Sequence, residues 1–272
     1  MLLSNFITKK QLKRIILFLK KRLYFSVFIG RFTKKRVIYT SIPKAGTNLL
    51  FNLLNEIPYY RFVIKRGLRP WLFDDDAKYV EAFKEIKKGS ILRGHAPFRK
   101  DFKKFINRYN GYEVILLVRD PRDVITSTYH YLLKMDKTHK SHIYFSSLKD
   151  RNEKISKIVF GEKNFFEPMK KIYEEYLDWQ SLDNCLTIKY EELIDIKNGK
   201  LNPDKLFGSL KKLLQFNMSN NDLLNALIDD SNSFTIRKGT YGDWRNFFND
   251  KQKAIINDEF RDILIRLGYE EN

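Results

Sequence analysis

A turn rich in phosphate-binding groups stands near the start of the chain. Residues 37–54 read VIYTSIPKAGTNLLFNLL, in which the turn PKAGTN separates two apolar stretches. Lys44, Gly46, Thr47 and Asn48 bring together a cation, a flexible backbone, a hydroxyl and an amide where a helix is expected to begin. Unpaired N–H groups at a helix N-terminus favour an anion. Lys44 precedes Gly46, so the turn is not a Walker A motif, GxxxxGK[ST], and a different ligand is expected.

A second group of candidate residues follows the apolar segment EVILLVR. Arg119 ends this segment, and Ser127 comes two turns into the helix that is expected next. The planar fork of an arginine suits a phosphate, and a hydroxyl at this distance can reach the same anion. Asp120, Arg122 and Asp123 leave a second interpretation open, which is a surface network of Arg–Asp pairs around the start of a helix.

A third group lies near the C-terminus, where residues 237–245 read RKGTYGDWR. Arg237 and Lys238 are adjacent cations, and Gly239 and Gly242 let the backbone wrap around a ligand. Together with the aromatic side chains, they are typical of a flap over a nucleotide phosphate. Taken alone, the segment would favour a basic loop rich in turns.

Strands that alternate with helices must position these groups. Apolar segments at residues 37–41, 90–93, 113–119 and 185–189 indicate strands, and helical periodicity follows most of them. Such strands between helices predict an α/β fold with a parallel sheet covered by helices on both faces. Ligands of these sheets bind beyond the carboxyl ends of the strands, where the motifs fall. Residues 74–76, all aspartate, are expected to open a helix, and the polar residues 134–163 indicate a long excursion or lid.

Composition limits the class of protein. The chain has 272 residues, 43% of them hydrophobic, with a formal net charge of +18 and one cysteine, Cys185. This length and charge predict one domain, residues 37–272, that attracts anions, with no disulfide framework. Residues 1–36 indicate a basic amphipathic helical segment, too interrupted to span a bilayer. It either packs on the domain or lies on an anionic membrane surface, so the expected location is cytoplasmic, with peripheral membrane contact left open.

Together, the three motifs resemble those of cytosolic sulfotransferases, which use 3′-phosphoadenosine 5′-phosphosulfate (PAPS). PKAGTNLL is similar to the family's PKxGTxxL loop, VILLVRDPRDVITSTYHY to its 3′-phosphate segment, and IRKGTYGDWRNFF to its RKGxxGDWxNxF flap. The matches occur in the family's order and span residues 37–248. The resemblance implies a central parallel sheet like that of the P-loop NTPases.

The resemblance also implies roles for single residues. Lys44 would contact the bridging oxygen and the leaving phosphate, next to a cradle for the 5′-phosphate formed by Ala45, Gly46, Thr47 and Asn48. The 3′-phosphate would be held by Arg119, Ser127, Arg237, Lys238 and Gly239. Tyr190, in KYEEL, would lie beside the adenine, with a core aromatic as the alternative. Leu49 stands where many members have a tryptophan that stacks on adenine, and Phe234 is the candidate to replace it.

His95, in ILRGHAPF, stands where the family has its catalytic histidine. A histidine accepts a proton near neutral pH, as attack by a hydroxyl requires. His130, His139 and His142 lack this context and have no convincing metal-ligand spacing. Trp179 is expected in the core.

The expected activity is therefore transfer of a sulfuryl group from PAPS to a hydroxyl or amine, without a metal. A glycan, a lipid alcohol and a phenol all stay open as acceptors, and nucleic acid is not expected as a partner. Two alternatives stay open: a P-loop kinase, which would need ATP and Mg²⁺, and a non-catalytic basic module that binds nucleic acid or an anionic membrane. The sequence says nothing of the oligomeric state.

Overall fold

The computed structural model describes residues 35–63, 83, 86–102, 106, 111–135, 137–229 and 239–271. The strands are β1 (Arg36–Ser41), β2 (Arg61–Phe62), β3 (Ser90–Gly94), β4 (Tyr112–Val118) and β5 (Cys185–Lys189). The first helices with described bounds are α1 (Thr47–Glu56), α2 (Pro121–Lys134), α3 (Lys140–Ser147), α4 (Arg151–Phe160) and α5 (Met169–Leu177). The later ones are α6 (Tyr190–Lys197), α7 (Asp204–Leu214), α8 (Asn220–Ile228), α9 (Trp244–Phe247), α10 (Asp250–Glu259) and α11 (Arg261–Arg266).

The strands form one parallel sheet in the order β2-β3-β1-β4-β5, flanked by helices. All seven residues of β4 are buried, as expected for a central strand with both faces covered. The α/β fold with a parallel sheet is confirmed, and each of the four predicted strands is found with its ends within one residue. The short strand β2 was not predicted, because Arg61 and Phe62 are too few to show an alternating pattern.

The sheet order brings the chemistry-bearing turns to one edge. Strands β3, β1, β4 and β5 are consecutive neighbours and all point the same way. The residues that follow their carboxyl ends are His95, the turn at residues 43–46, Arg119 and Tyr190. These positions are far apart in the sequence and adjacent in the fold.

Residues 134–163 differ from the excursion or lid that their polarity suggested. Most of them belong to α3 and α4, which pack against α2. Phe145 of α3 is fully buried, and Ile155, Ile158 and Val159 of α4 are buried at helical spacing. The polar residues are the outer faces of two packed helices.

Several expectations fall outside the described residues. They concern the N-terminal helical segment over residues 1–34, the helix start at residues 74–76, and the site candidates Phe234, Arg237 and Lys238. The division of the chain at residue 36 therefore stays a prediction. Among the helices that are described, none is long and apolar enough to cross a bilayer.

Candidate active site

A cavity of about 390 Å³ lies at the carboxyl ends of β1, β3 and β4. Of the ten predicted site residues that the structure describes, nine line this cavity: Lys44, Gly46, Thr47, Asn48, His95, Arg119, Ser127, Tyr190 and Gly239. The tenth, Ala45, is buried within the turn. The remaining lining residues are Pro43, Leu49, Arg93, Tyr131, Ile194, Lys197 and Thr240. Three separated motifs thus meet at one cavity.

The backbone of the first turn is shaped for close approach of a ligand. Lys44 and Gly46 both have left-handed conformations, with φ values of 69° and 89°. Helix α1 begins directly after Gly46, with no side-chain hydrogen bond to its N-cap and no acidic residue in its first turn. The positive end of the helix dipole therefore faces the cavity without a carboxylate of its own first turn.

Gly46 also has a packing reason to lack a side chain. A Cβ atom built on Gly46 would lie 2.4 Å from Cδ2 of Tyr190 and 2.6 Å from its Cε2. Tyr190 is itself 6% exposed, so its ring has little room to move away. Tyr190, the first residue of α6, and the turn at residues 43–46 thus pack directly against each other.

Lys44 lies in a positively charged environment. Its Nζ is 4.0 Å from the centroid of the Tyr131 ring. Burial lowers the pKa of Lys44, and the nearby charge of Arg119 lowers it further. No carboxylate lines the cavity within the part of the chain that the structure describes. An anionic ligand in this cavity would favour the charged form of Lys44.

Arg119 forms the opposite wall and is 8% exposed. Its Nη1 donates to the carbonyl of Lys44 at 3.4 Å, and its Nη2 donates to the carbonyl of Thr240 at 3.2 Å. The guanidinium carbon lies 4.3 Å from the centroid of the Tyr190 ring. The buried Nε has no hydrogen-bond partner among the described residues. A buried donor in this state is costly, so a ligand oxygen would stabilise the site.

His95 directly follows the carboxyl end of β3, where hydrogen bonds fix the backbone of the next residue, Ala96. The hydroxyl of Thr40 donates to the carbonyl of Ala96 at 2.9 Å, and the indole Nε1 of Trp179 donates to the same carbonyl at 2.7 Å. Nδ1 of His95 lies 2.9 Å from the carbonyl of Ser41. That oxygen can only accept, so the contact places the ring proton on Nδ1 and the lone pair on Nε2. Trp179 is fully buried, as expected.

The other charged residues of the RDPRD segment form a buried network instead of a surface one. Arg122 is 2% exposed, lies 2.8 Å from Asp120 and 2.5 Å from Glu270, and stacks 4.0 Å from the centroid of the Trp244 ring. The Arg–Asp network of the alternative interpretation therefore exists, but it is buried and not at the surface. Arg119 lines the cavity, whereas Arg122 joins α2 to the C-terminal segment.

Comparison with known proteins decides the family. The sequence profile of the sulfotransferase domain matches residues 34–268. This chain belongs to the sulfotransferase family. It is 28% identical to rat sulfotransferase 2A1 over 253 residues, covering 84% of each chain. It is 26% identical to the 3-beta-hydroxysteroid sulfotransferase of Cavia porcellus over 234 residues, covering 78% of this chain and 77% of the relative.

Solved structures agree with this sulfotransferase in fold. Mouse sulfotransferase SULT7A1, whose crystal structure is complexed with PAP, superimposes with a TM-score of 0.60 at 18% identity, with 84% of each chain covered. Retinol dehydratase, in a complex with retinol and PAP, superimposes with a TM-score of 0.52 at 14% identity, over 84% of this chain and 80% of the other. The parallel sheet flanked by helices is therefore the sheet of a sulfotransferase, with its P-loop-NTPase-like arrangement.

Sequence reasoning missed four polar or aromatic residues that line the cavity: Arg93, Tyr131, Lys197 and Thr240. Simple periodicities indicate three of them. Arg93 precedes His95 by two positions near the end of a strand, Tyr131 follows Ser127 by four positions on a helix, and Lys197 follows Tyr190 by seven. Arg93 donates to Oδ1 of Asn48 and packs 4.4 Å from the centroid of the Phe51 ring. It therefore orients the amide of Asn48.

Cys185, His139 and His142 lie outside the cavity and take part in burial or in local hydrogen bonds. Burial raises the pKa of the Cys185 thiol to about 12, so the thiol is protonated at neutral pH. His139 accepts from the N–H of Ser141 at 3.1 Å and caps α3, and Nδ1 of His142 lies 2.8 Å from the carbonyl of Leu132. Within the described residues, no group of His, Cys, Asp and Glu side chains could hold a metal ion.

Proposed function

We propose that this sulfotransferase takes its sulfuryl group from PAPS and passes it to a hydroxyl, or an amine, of an acceptor. One observation carries the proposal: Lys44, His95 and Arg119, each at the end of a different strand, line one cavity whose described wall contains no carboxylate. Such a cavity attracts an anionic donor and also holds a base for the acceptor.

The residues present fit PAPS. The unpartnered Nε of Arg119 offers a donor to a phosphate oxygen, and the left-handed backbone of Gly46 places the turn directly before the N-terminus of α1 at the cavity. We assign the 5′-phosphate to the turn at residues 44–48 and the 3′-phosphate to Arg119, Ser127 and Gly239. In this proposal, Arg237 and Lys238 join the donor site on the strength of their motif alone. Phe234 joins it only as the candidate to replace the stacking tryptophan, and Tyr190 lies beside the base.

Two side chains carry the chemistry. When bound, PAPS supplies an activated sulfuryl group with a phosphate as its leaving group. His95 holds its own proton on Nδ1 against the Ser41 carbonyl, so Nε2 is the atom that takes the acceptor proton. The ammonium of Lys44 stabilises negative charge as it develops on the leaving phosphate. Helix α1 and the turn hold the donor in a fixed orientation.

For the acceptor, we propose a lipid alcohol as the first class to test. Tyr131 gives the cavity an aromatic surface next to Lys44, the residue that we assign to the leaving phosphate. The similar protein of Cavia porcellus is a 3-beta-hydroxysteroid sulfotransferase. Glycans and phenols are the other acceptor classes to be tested beside it. A cytoplasmic location is part of the proposal, since a chain with one cysteine depends on no internal disulfide.

The test is transfer of label from [³⁵S]PAPS to a panel of sterols, other lipid alcohols, phenols and glycans. We expect His95→Gln and Lys44→Met each to lower turnover by about 100-fold or more, because a proton transfer and an electrostatic contribution are lost. His142→Gln is the matched control, since His142 does not line the cavity. His95→Gln should still bind PAP, which separates lost chemistry from lost folding.

Other outcomes would favour the alternatives. Binding of ATP with Mg²⁺ and phosphoryl transfer would support a kinase. Steeply salt-dependent binding of nucleic acid or anionic vesicles, without stabilisation by PAP, would support a non-catalytic module.

A further inference from the structure

Residues 239–244, called the flap here, separate the donor cavity from a second cavity. Gly239 and Thr240 line the donor cavity, and the Thr240 carbonyl accepts a hydrogen bond from Arg119. The next residues, Tyr241 and Gly242, line the neighbouring cavity of about 250 Å³. The position of the flap therefore fixes one wall of the site to which we assign the nucleotide.

On its inner side, the flap is tied to a buried carboxylate. Asp123 is 1% exposed and accepts from the N–H of Gly242 at 2.6 Å and from the N–H of Trp244 at 3.3 Å. Burial raises the pKa of Asp123, and these two backbone donors act in the opposite direction. This anchor holds the distal half of the flap to α2, the helix that also carries Ser127.

A side-chain contact also joins the flap to α6. The hydroxyl of Tyr241 donates to the carboxylate of Asp195, with distances of 2.8 Å and 2.9 Å to its two oxygens. The same helix presents Tyr190, Ile194 and Lys197 to the donor cavity. Tyr241 is 38% exposed, so the contact lies at the surface and outside the hydrophobic core.

We propose that the Tyr241–Asp195 hydrogen bond is a latch that positions Gly239 and Thr240 against the bound nucleotide and slows its release. Tyr241 and Asp195 are positioning residues, since neither lines the donor cavity. The latch joins the two elements that contact the nucleotide in the proposed function, on which this inference rests. Because the latch is exposed, its loss should change the lifetime of the complex far more than the stability of the fold.

The test measures dissociation of PAP by stopped flow, using displacement of a fluorescent analogue from the full-length protein. Tyr241→Phe removes only the hydroxyl. We expect it to raise the dissociation rate of PAP about three- to tenfold, the factor that corresponds to the net free energy of one hydrogen bond. Asp195→Ala should give a similar increase, and the double variant should show no further increase, because both changes break the same contact.

Tyr144→Phe is the matched control. It removes a hydroxyl that donates to a carboxylate, that of Glu162 at 3.2 Å, on α3 and away from the cavity. If Tyr241→Phe releases PAP no faster than Tyr144→Phe, or if the two latch variants are additive, the latch is refuted. If the unaltered protein does not bind PAP at all, the proposed function fails first. Unchanged thermal unfolding of Tyr241→Phe without nucleotide would exclude a general loss of folding as the cause.

Discussion

Replacement of Gly46 by alanine tests the packing of the phosphate turn most sharply. The added Cβ would lie 2.4 Å from Cδ2 of Tyr190, and Gly46 has a φ of 89°, which side chains rarely adopt. The left-handed backbone costs about 1–2 kcal/mol in an alanine. Displacement of a buried ring adds about 1–3 kcal/mol, as in other overpacked sites. The sum predicts a loss of about 2–5 kcal/mol in the free energy of unfolding.

Two other glycines separate these contributions. Gly199 also has a positive φ, of 70°, but a Cβ there would meet no atom within 4 Å, so Gly199→Ala should cost only the backbone part. Gly208 lies inside α7 without a positive φ or a close neighbour, and Gly208→Ala should stabilise the protein by about 0.5–1 kcal/mol. Urea unfolding of the ligand-free proteins measures all three values.

Gly46→Ala should also lose affinity for PAP, because the displaced ring of Tyr190 and the shifted turn belong to the cavity wall. Calorimetric titration with PAP measures this loss. If Gly46→Ala loses no more stability than Gly199→Ala, the contact between the turn and Tyr190 does not constrain the site. In that case, Tyr190 would have room to move away from the added methyl group.

Three further predictions follow from single contacts. Burial and Arg119 lower the pKa of Lys44, and a bound phosphate raises it again. In the pH range where Lys44 of the free protein loses its proton, PAP should therefore bind with proton uptake, and its affinity should fall as the pH rises further. Calorimetry in two buffers over that range measures the uptake, and Lys44→Met should remove the contribution of Lys44. Arg119→Lys keeps the positive charge but loses the planar set of N–H donors, so the affinity for PAP should fall about tenfold or more in the same titration. Unchanged affinity would contradict the proposed contact between the guanidinium and a phosphate. Trp179→Phe removes the 2.7 Å bond to the Ala96 carbonyl and should lower stability by about 1–3 kcal/mol in urea unfolding, with turnover reduced more than PAP affinity.

The central part of the fold could be predicted because its strands are uniformly apolar. β1, β3, β4 and β5 are continuous apolar segments, as strands covered on both faces must be. Once the strands are parallel neighbours, their carboxyl ends share one edge, and Lys44, His95 and Arg119 must converge there. The strand order and the positions of the motifs therefore suffice to bring these three residues together, and no side-chain contact has to be known.

Contacts between distant segments could not be predicted in this way. Asp123 belongs to a charged turn that suggests a surface, yet it is buried because residues 242–244 fold over it and donate two backbone N–H groups. Residues 134–163 look polar along the chain, but the few apolar positions of α3 and α4 suffice to pack them on α2. The partner of Asp123 lies 119 residues further along the chain and leaves no mark in the local sequence. Helices α3 and α4 instead pack on α2, the helix that precedes them, and their few apolar positions were outweighed by the polar composition of the segment.

The charges around the cavity explain why it should respond strongly to an anion. The RDPRD segment places two carboxylates next to Arg119, but Asp120 pairs with Arg122 and Asp123 accepts from the flap backbone, at 3.8 Å from the Arg119 guanidinium. Neither carboxylate lines the donor cavity, so Lys44 and Arg119 face it together, and the charge of Arg119 disfavours the charged form of Lys44. In the proposed function, a bound polyanion would relieve this repulsion and give the buried Nε of Arg119 a partner. The repulsion in the ligand-free protein would then add to the affinity for a doubly phosphorylated nucleotide.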